Sequence, residues 1–197
     1  VATDGHRLSK SSLTKDFSGE FDGIIIPKKT VFEISKILEE YGNKVIMNFS
    51  KTRLKIVLGE LKIITKLINS SFPDYESVIP SNNDQIMIVD CKSFSESIDR
   101  VSTISSEKFR TVKFDIANNL CVVSSFGSEK STGIEKVKVD YSGPPFSINF
   151  NSRYVLDVLN LIKEGNVKFY FSKNTAPTIL ESESIKNTLF LIMQMRA

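Results

Sequence analysis

The chain has 197 residues, of which 41% are hydrophobic and 25% charged, with a formal net charge of +3. That balance suits a globular chain that buries a core without staples, and it excludes a fibre or a disordered tail. No apolar run reaches the roughly 18 residues that a membrane-spanning helix needs, and residues 1–10 lack the basic-then-apolar order of a secretory signal.

The opening segment, residues 1–10, reads as the middle of a strand and its turn, and it starts on Val rather than Met. It predicts a piece of a longer protein. Strand-like runs rich in Ile, Val, Phe and Leu then recur at 23–26, 45–49, 54–58, 61–68, 86–89, 112–116, 120–124, 134–139, 146–150, 167–171, 178–180 and 189–193. Several alternate with polar residues, the pattern of a sheet with one wet face. In one such run Leu54, Ile56 and Leu58 fall on one side and Arg53, Lys55 and Val57 on the other.

Three segments carry helical spacing instead. Residues 30–41 place Val31, Ile34, Ile37 and Leu38 on one stripe, with a capping box from Thr30 and Glu33 at the start and Gly42 at the end. Residues 91–105 do so with Cys91, Phe94, Ile98, Val101 and Ile104 after Asp90 as cap, and residues 151–164 with Val155, Val158, Leu159 and Ile162, stopping at Gly165.

The first and last of these helices belong to an internal repeat. Val31-Phe32-Glu33-Ile34-Ser35-Lys36-Ile37-Leu38 aligns with Val155-Leu156-Asp157-Val158-Leu159-Asn160-Leu161-Ile162. The match continues through Gly42-Asn43 against Gly165-Asn166, then Phe49-Ser50-Lys51 against Phe171-Ser172-Lys173. The unit is a strand, a helix and three strands. Between the copies, residues 72–80 read as a linker bounded by Pro73 and Pro80.

Little in the chain points to catalysis. His6 is the only histidine; Asp4 shares its face in a strand, but no serine stands in a nucleophile-elbow motif. Cys91 and Cys121 are too few for a disulfide framework and are expected to be buried free thiols. Metal-ligand spacing, a phosphate-binding loop and a dinucleotide fingerprint are all missing from the sequence, so the expectation is no catalytic residue, no metal and no cofactor. The net charge permits nucleic acid without arguing for it. Lys28, Lys29, Lys36, Lys92, Arg100, Arg153 and Lys163 sit on or beside the helices, where they would face a common partner if the helices share one side of a sheet wall.

The motifs Val1-Ala2-Thr3-Asp4-Gly5-His6-Arg7-Leu8, Phe72-Pro73-Asp74-Tyr75, Glu107-Lys108-Phe109-Arg110, Tyr154-Val155-Leu156-Asp157-Val158-Leu159 and Met193-Gln194-Met195-Arg196 resemble, in this order, those of the bacterial DNA polymerase III beta subunits, the replicative sliding clamps. The resemblance covers all 197 residues. It implies an α+β DNA-clamp fold, with repeated units of antiparallel sheet and helices on the inner face. Residues 1–75 would be the C-terminal part of the middle domain and 76–197 the complete C-terminal domain.

It further implies a non-catalytic, cytoplasmic processivity factor whose ring of two subunits encircles duplex DNA. Lys28, Lys29, Lys36, Lys92, Arg100 and Arg153 would face that DNA. A hydrophobic pocket would take short linear motifs of the replicative polymerase, the clamp loader and repair polymerases. Its lining would be Thr3, Gly5, His6, Arg7, Leu8, Pro73, Val78, Phe109, Pro177, Leu191, Ile192, Met193, Met195 and Arg196. Ile104, Glu129 and Glu135 would meet the first domain of the second subunit, and without that domain this stretch is expected to be a monomer. Gln194 stands where the family commonly has proline and Ser77 where a basic residue is expected, which predicts a more flexible or more polar pocket floor. The residues alone leave two alternatives open, a duplicated protein-interaction module that does not bind DNA and a truncated hydrolase.

Overall fold

Stretches of period 2 become strands in the computed structural model, which describes residues 1–14, 23–41, 44–104, 110–127, 131–172 and 176–195, Tyr41 for its backbone only. Two short strands come first, β1 (Ala2–Thr3) and β2 (Arg7–Ser11). Helix α1 (Lys28–Tyr41) precedes β3 (Ile46–Phe49), β4 (Arg53–Leu58) and β5 (Leu61–Lys66). After a 3-10 turn at Glu76–Val78 come β6 (Gln85–Asp90), α2 (Cys91–Ser102), β7 (Thr111–Ala117), β8 (Leu120–Phe126) and β9 (Thr132–Lys138). The last block is β10 (Phe146–Asn151), α3 (Ser152–Ile162), β11 (Asn166–Phe171), β12 (Thr178–Ser182) and β13 (Thr188–Ile192). The chain divides into two units, one of Val1–Thr14 with Tyr75–Ala197 and one of Lys15–Asp74.

In the larger unit two blocks of identical order, β6-α2-β7-β8-β9 and β10-α3-β11-β12-β13, follow one another. Each leading strand ends in a side chain that caps its helix. Asp90 accepts a bond from the Ser93 amide at 2.8 Å, and Asn151 accepts one from the Arg153 amide at 3.0 Å. The leading strands are exchanged: β6 pairs antiparallel with β11, and β10 with β7. Two sheets result, ordered β1-β2-β13-β12-β11-β6 and β10-β7-β8-β9.

Both helices bury their apolar stripes, Phe94, Ile98 and Val101 on α2 and Val155, Leu159 and Ile162 on α3, in the core that the sheets share. A run of phenylalanines links the blocks, with Phe94 5.1 Å from Phe114 and 5.6 Å from Phe169, and Phe146 5.0 Å from Phe171 between ring centroids. Cys91 and Cys121 are buried free thiols in this core, and burial pushes the Cys121 thiol up to about 12.

The smaller unit has the helix and three strands of one block without a leading strand among the described residues, α1 against the sheet β3-β4-β5. Leu54, Ile56 and Leu58 point inward and are fully buried against Ile34, Ile37 and Leu38. Two expectations fail here. The helix starts at Lys28 because the Pro27 carbonyl accepts the first helical bond, from Val31 N–H at 3.2 Å, and proline's fixed φ suits that position. Thr30 therefore lies inside the first turn, its hydroxyl bonded to that of Thr65 at 2.9 Å, and the capping box does not form. Residues 23–26 are not a strand; Ile25 makes one backbone bond, accepting from Ile68 N–H at 3.0 Å. Gly42 lies outside the described residues.

Candidate functional site

The six-stranded sheet of the larger unit has an inner face, on the core, and an outer face. Pairing of Leu8 with Leu191, of Leu191 with Ile179 and of Ile179 with Tyr170 puts these four in one row across β2, β13, β12 and β11. The three aliphatic members are 5%, 3% and 9% exposed, yet none belongs to the main core. Strand alternation sends their neighbours Phe190, Ile192 and Leu180 inward instead.

What passes over the row is the chain leading into β6. Lys10, on the same face as Leu8, holds its ammonium 5.2 Å over the Tyr75 ring, and the Asn83 amide donates to the Tyr170 and Pro177 carbonyls at 2.9 Å each. Between these anchors the segment runs from β2 to β11. It presents Val78 exposed, with Ile79 and Pro80 half-buried.

A polar cluster occupies the end of β2. Asp4 closes the turn by accepting from the amides of His6 and Arg7 at 3.0 and 3.1 Å, and Thr3 donates to the Arg7 carbonyl at 2.8 Å. Gly5 has φ +85, a conformation that costs glycine nothing. Arg7 points to the inner side, where its guanidinium bonds Asp4 at 3.1 Å and also Asp157 of α3, and lies 4.5 Å over the Tyr154 ring. The His6 ring stacks on the same tyrosine, 6.4 Å away and tilted by 21°.

Burial works against both charges, but hydrogen bonds outweigh it: from the His6 amide and then the Arg7 side chain for Asp4, and to the Asp157 and then the Asp4 carboxylate for Arg7. The Asp4 carboxyl is held below the usual range and the Arg7 guanidinium, bonded also to Asp157, above it. Tyr154 and Asp157 were not picked out individually from the sequence as site residues. Only their place inside a quoted motif could have signalled them, since nothing local connects residue 7 with residue 157.

The residues proposed to line the pocket thus separate. Thr3, Leu8 and Leu191 share the outer face, while Arg7 lies inward. Ile192 is a correction: its side chain is 0% exposed in the main core, because the strand period sends it behind the sheet, and it cannot touch a docked peptide. Met193 follows β13 and is exposed, its amide bonded to the His6 carbonyl at 2.9 Å.

Met195 reaches the second sheet. Its amide donates to Asn149 O at 2.8 Å, and its sulfur lies 3.8 Å from the Thr111 hydroxyl. The Gln194 side-chain amide donates to the Ala176 carbonyl at 2.9 Å and ties this end down. Pro73 belongs to the smaller unit, and Phe109 and Arg196 lie outside the described residues.

Lys28, Lys29 and Lys36 are exposed on α1 in the smaller unit, and Lys92, Arg100 and Arg153 on α2 and α3 in the larger. Arg100 is engaged, with bonds to both carboxylate oxygens of Glu135 on β9 at 2.9 and 3.2 Å. That pair lowers the Glu135 pKa and raises that of Arg100. Ile104 is half-buried against the edge strand β9. A Cβ on Gly133 would stand 2.9 Å from its Cδ1, so the missing side chain lets the end of α2 approach. Glu129 lies outside the described residues.

Antiparallel sheets with three helices describe an α+β clamp fold, and comparison with known proteins agrees. The family model for the DNA polymerase III beta subunit, C-terminal domain, matches residues 76–196, and that for its central domain matches residues 1–74. A beta sliding clamp from Caulobacter vibrioides is 34% identical over 197 residues, which is 100% of this chain and 53% of that protein. The solved beta sliding clamp of Caulobacter crescentus has a TM-score of 0.94 at 34% identity, with 100% of this chain and 52% of that one covered. A sliding clamp from Bartonella birtlesii bound to griselimycin has a TM-score of 0.93 at 34% identity, covering 100% of this chain and 53% of its own.

The chain therefore belongs to the DNA polymerase III beta subunit family, the bacterial sliding clamps. It spans about half the length of the curated relatives it matches.

Proposed function

We propose that the protein of which this chain is part is a non-catalytic, cytoplasmic processivity factor, a two-subunit ring around duplex DNA that tethers the replicative polymerase. In this reading residues 1–75 are the C-terminal part of the middle clamp domain and 76–197 the complete C-terminal domain. A tether of this kind raises the effective concentration of polymerase at the primer end, and sliding demands attraction to phosphates without base contacts. Lys28, Lys29, Lys36, Lys92 and Arg153 are exposed helix cations suited to that, while Arg100 is already committed to Glu135. Edge strand β9, which carries Glu135 and the exposed Ile134 and has Ile104 beside it, is the proposed subunit contact.

The observation that carries the docking site is the aromatic and cationic cluster of His6, Arg7 and Tyr154 at the strand end that also bears Leu8, Leu191 and Met193. Polymerases, the clamp loader and repair factors would insert short polar-apolar motifs there, an apolar residue toward Leu8, Leu191 and Val78 and polar groups toward His6 and Arg7. Griselimycin bound to the Bartonella relative supports a peptide-accepting pocket in this family.

Fluorescence anisotropy with a labelled clamp-binding peptide tests it. Micromolar binding that weakens about tenfold with His6→Ala or Tyr154→Ala is expected. Absence of binding to both this chain and the full-length protein would remove the docking function.

A further inference from the structure

The outer face of the smaller unit's sheet is strongly cationic. On β4 it carries Arg53, Lys55 and Val57, on β5 Lys62, Ile64 and Lys66, and on β3 Ile46 and Asn48. No acid stands among these eight residues. Arg53 is directly opposite Lys66, an arrangement that repels. All four cations are exposed, and none has a carboxylate within salt-bridge distance among the described residues.

Lys136 and Lys138 of β9 in the larger unit are likewise exposed, but elsewhere that unit's sheets pair their cations. Lys113 pairs with Asp115 at 2.8 Å and Lys168 with Glu183 at 3.0 Å on its two sheets. Within the cationic face lies a large apolar surface. Ile64 is 66% exposed between Lys62 and Lys66 and opposite Lys55, and Ile46 is 50% exposed opposite Val57.

We infer that this face is a second docking surface, and that it binds an extended acidic polypeptide segment whose sheet-facing side chains, every second residue, alternate between carboxylate and apolar. Such a segment repeats its side chains every two residues, about 6.6 Å, the same pitch that separates Lys62 from Ile64 and Ile64 from Lys66. Its carboxylates meet the unpaired cations, and its apolar residues cover Ile64 and Ile46. Two other anionic partners fit less well. Phosphates of duplex DNA gain nothing from an isoleucine set among the cations, and single-stranded nucleic acid calls for aromatic side chains to stack on, of which this face has none.

The test is anisotropy of a fluorescein-labelled peptide of about twelve residues built on the repeat glutamate-serine-leucine-serine, so that one face alternates glutamate with leucine while the chain lies along a strand. Binding is expected to fall about tenfold in Lys62→Glu/Lys66→Glu and several-fold in Ile64→Ser, with unchanged circular dichroism melts. A peptide with serine in place of its apolar residues is expected to bind more weakly, and Tyr154→Ala to leave binding intact. The inference fails if the charge reversal leaves binding unchanged or if Tyr154→Ala abolishes it, since the probe then reads the other site. It fails equally if the serine peptide binds as tightly, or if short duplex DNA or phosphatidylserine vesicles bind in preference to the peptide and lose that binding in the same variants.

Discussion

At the scale of single residues, Asp4 sets the geometry of the strand end. Its two oxygens take three bonds, from the amides of His6 and Arg7 and from the Arg7 guanidinium, so one exposed carboxylate fixes both the turn and the side chain that lies on Tyr154. Replacement by alanine is expected to cost about 0.5 to 1 kcal/mol, a modest figure because the group is open to solvent. Since the folded pKa of Asp4 lies below its ordinary value, the carboxylate's contribution is complete at neutral pH and is lost as pH falls below about 4. Thermal melts of the Asp4→Ala variant and the parent are thus expected to differ near neutral pH and to converge as acid titrates the folded carboxylate. A difference that persists in acid would assign the effect to packing. Peptide affinity should fall in the same variant, because His6 and Arg7 lose their common anchor.

At the scale of elements, caps show where local motifs mislead. Thr30-Val31-Phe32-Glu33 has the spacing of a capping box, but Pro27 stands three residues earlier, supplies a preset φ and starts the helix first. Asp90 has no such competitor and caps α2 as its sequence position suggests. Asp90→Ala is therefore expected to destabilise the larger unit by about 1 kcal/mol, whereas Glu33→Ala, which removes the supposed partner of Thr30, changes stability by a few tenths at most. Chemical denaturation of the two variants distinguishes them, and equal losses would restore the capping box.

The same contrast explains what could be read beforehand. Alternation placed Leu54, Ile56 and Leu58 inside and Arg53 and Lys55 outside, because burial on one face of a strand is a local property. Pairings such as Leu8 with Leu191, or Arg7 with Asp157, depend on which distant strand fills an edge, and no local pattern encodes that. Inside the site, Ile192 was misassigned for a related reason: a motif gives neighbours in sequence, but a strand sends neighbours to opposite faces.

For the whole molecule, the decisive contrast is between one block and two. The larger unit closes on itself because each block lends its leading strand to the other's sheet, and the phenylalanines of both then fill one core. The smaller unit has one block, three fully buried side chains on its sheet, and Ile46, Met47 and Phe49 of β3 exposed. Burial of apolar area is the main favourable term in folding, so the smaller unit has far less to offset its conformational entropy. Native-state hydrogen exchange should accordingly open residues of β3–β5 at a lower free energy than those of β7–β8 and β11–β12. Leu54→Ala, which empties the centre of the smaller core at a cost of about 2 to 5 kcal/mol, is expected to accelerate exchange in β3–β5 and leave the larger unit's slowest amides untouched. If those slow amides accelerate equally, the two units unfold as one cooperative body, and the stability of this chain resides in more than its separate cores.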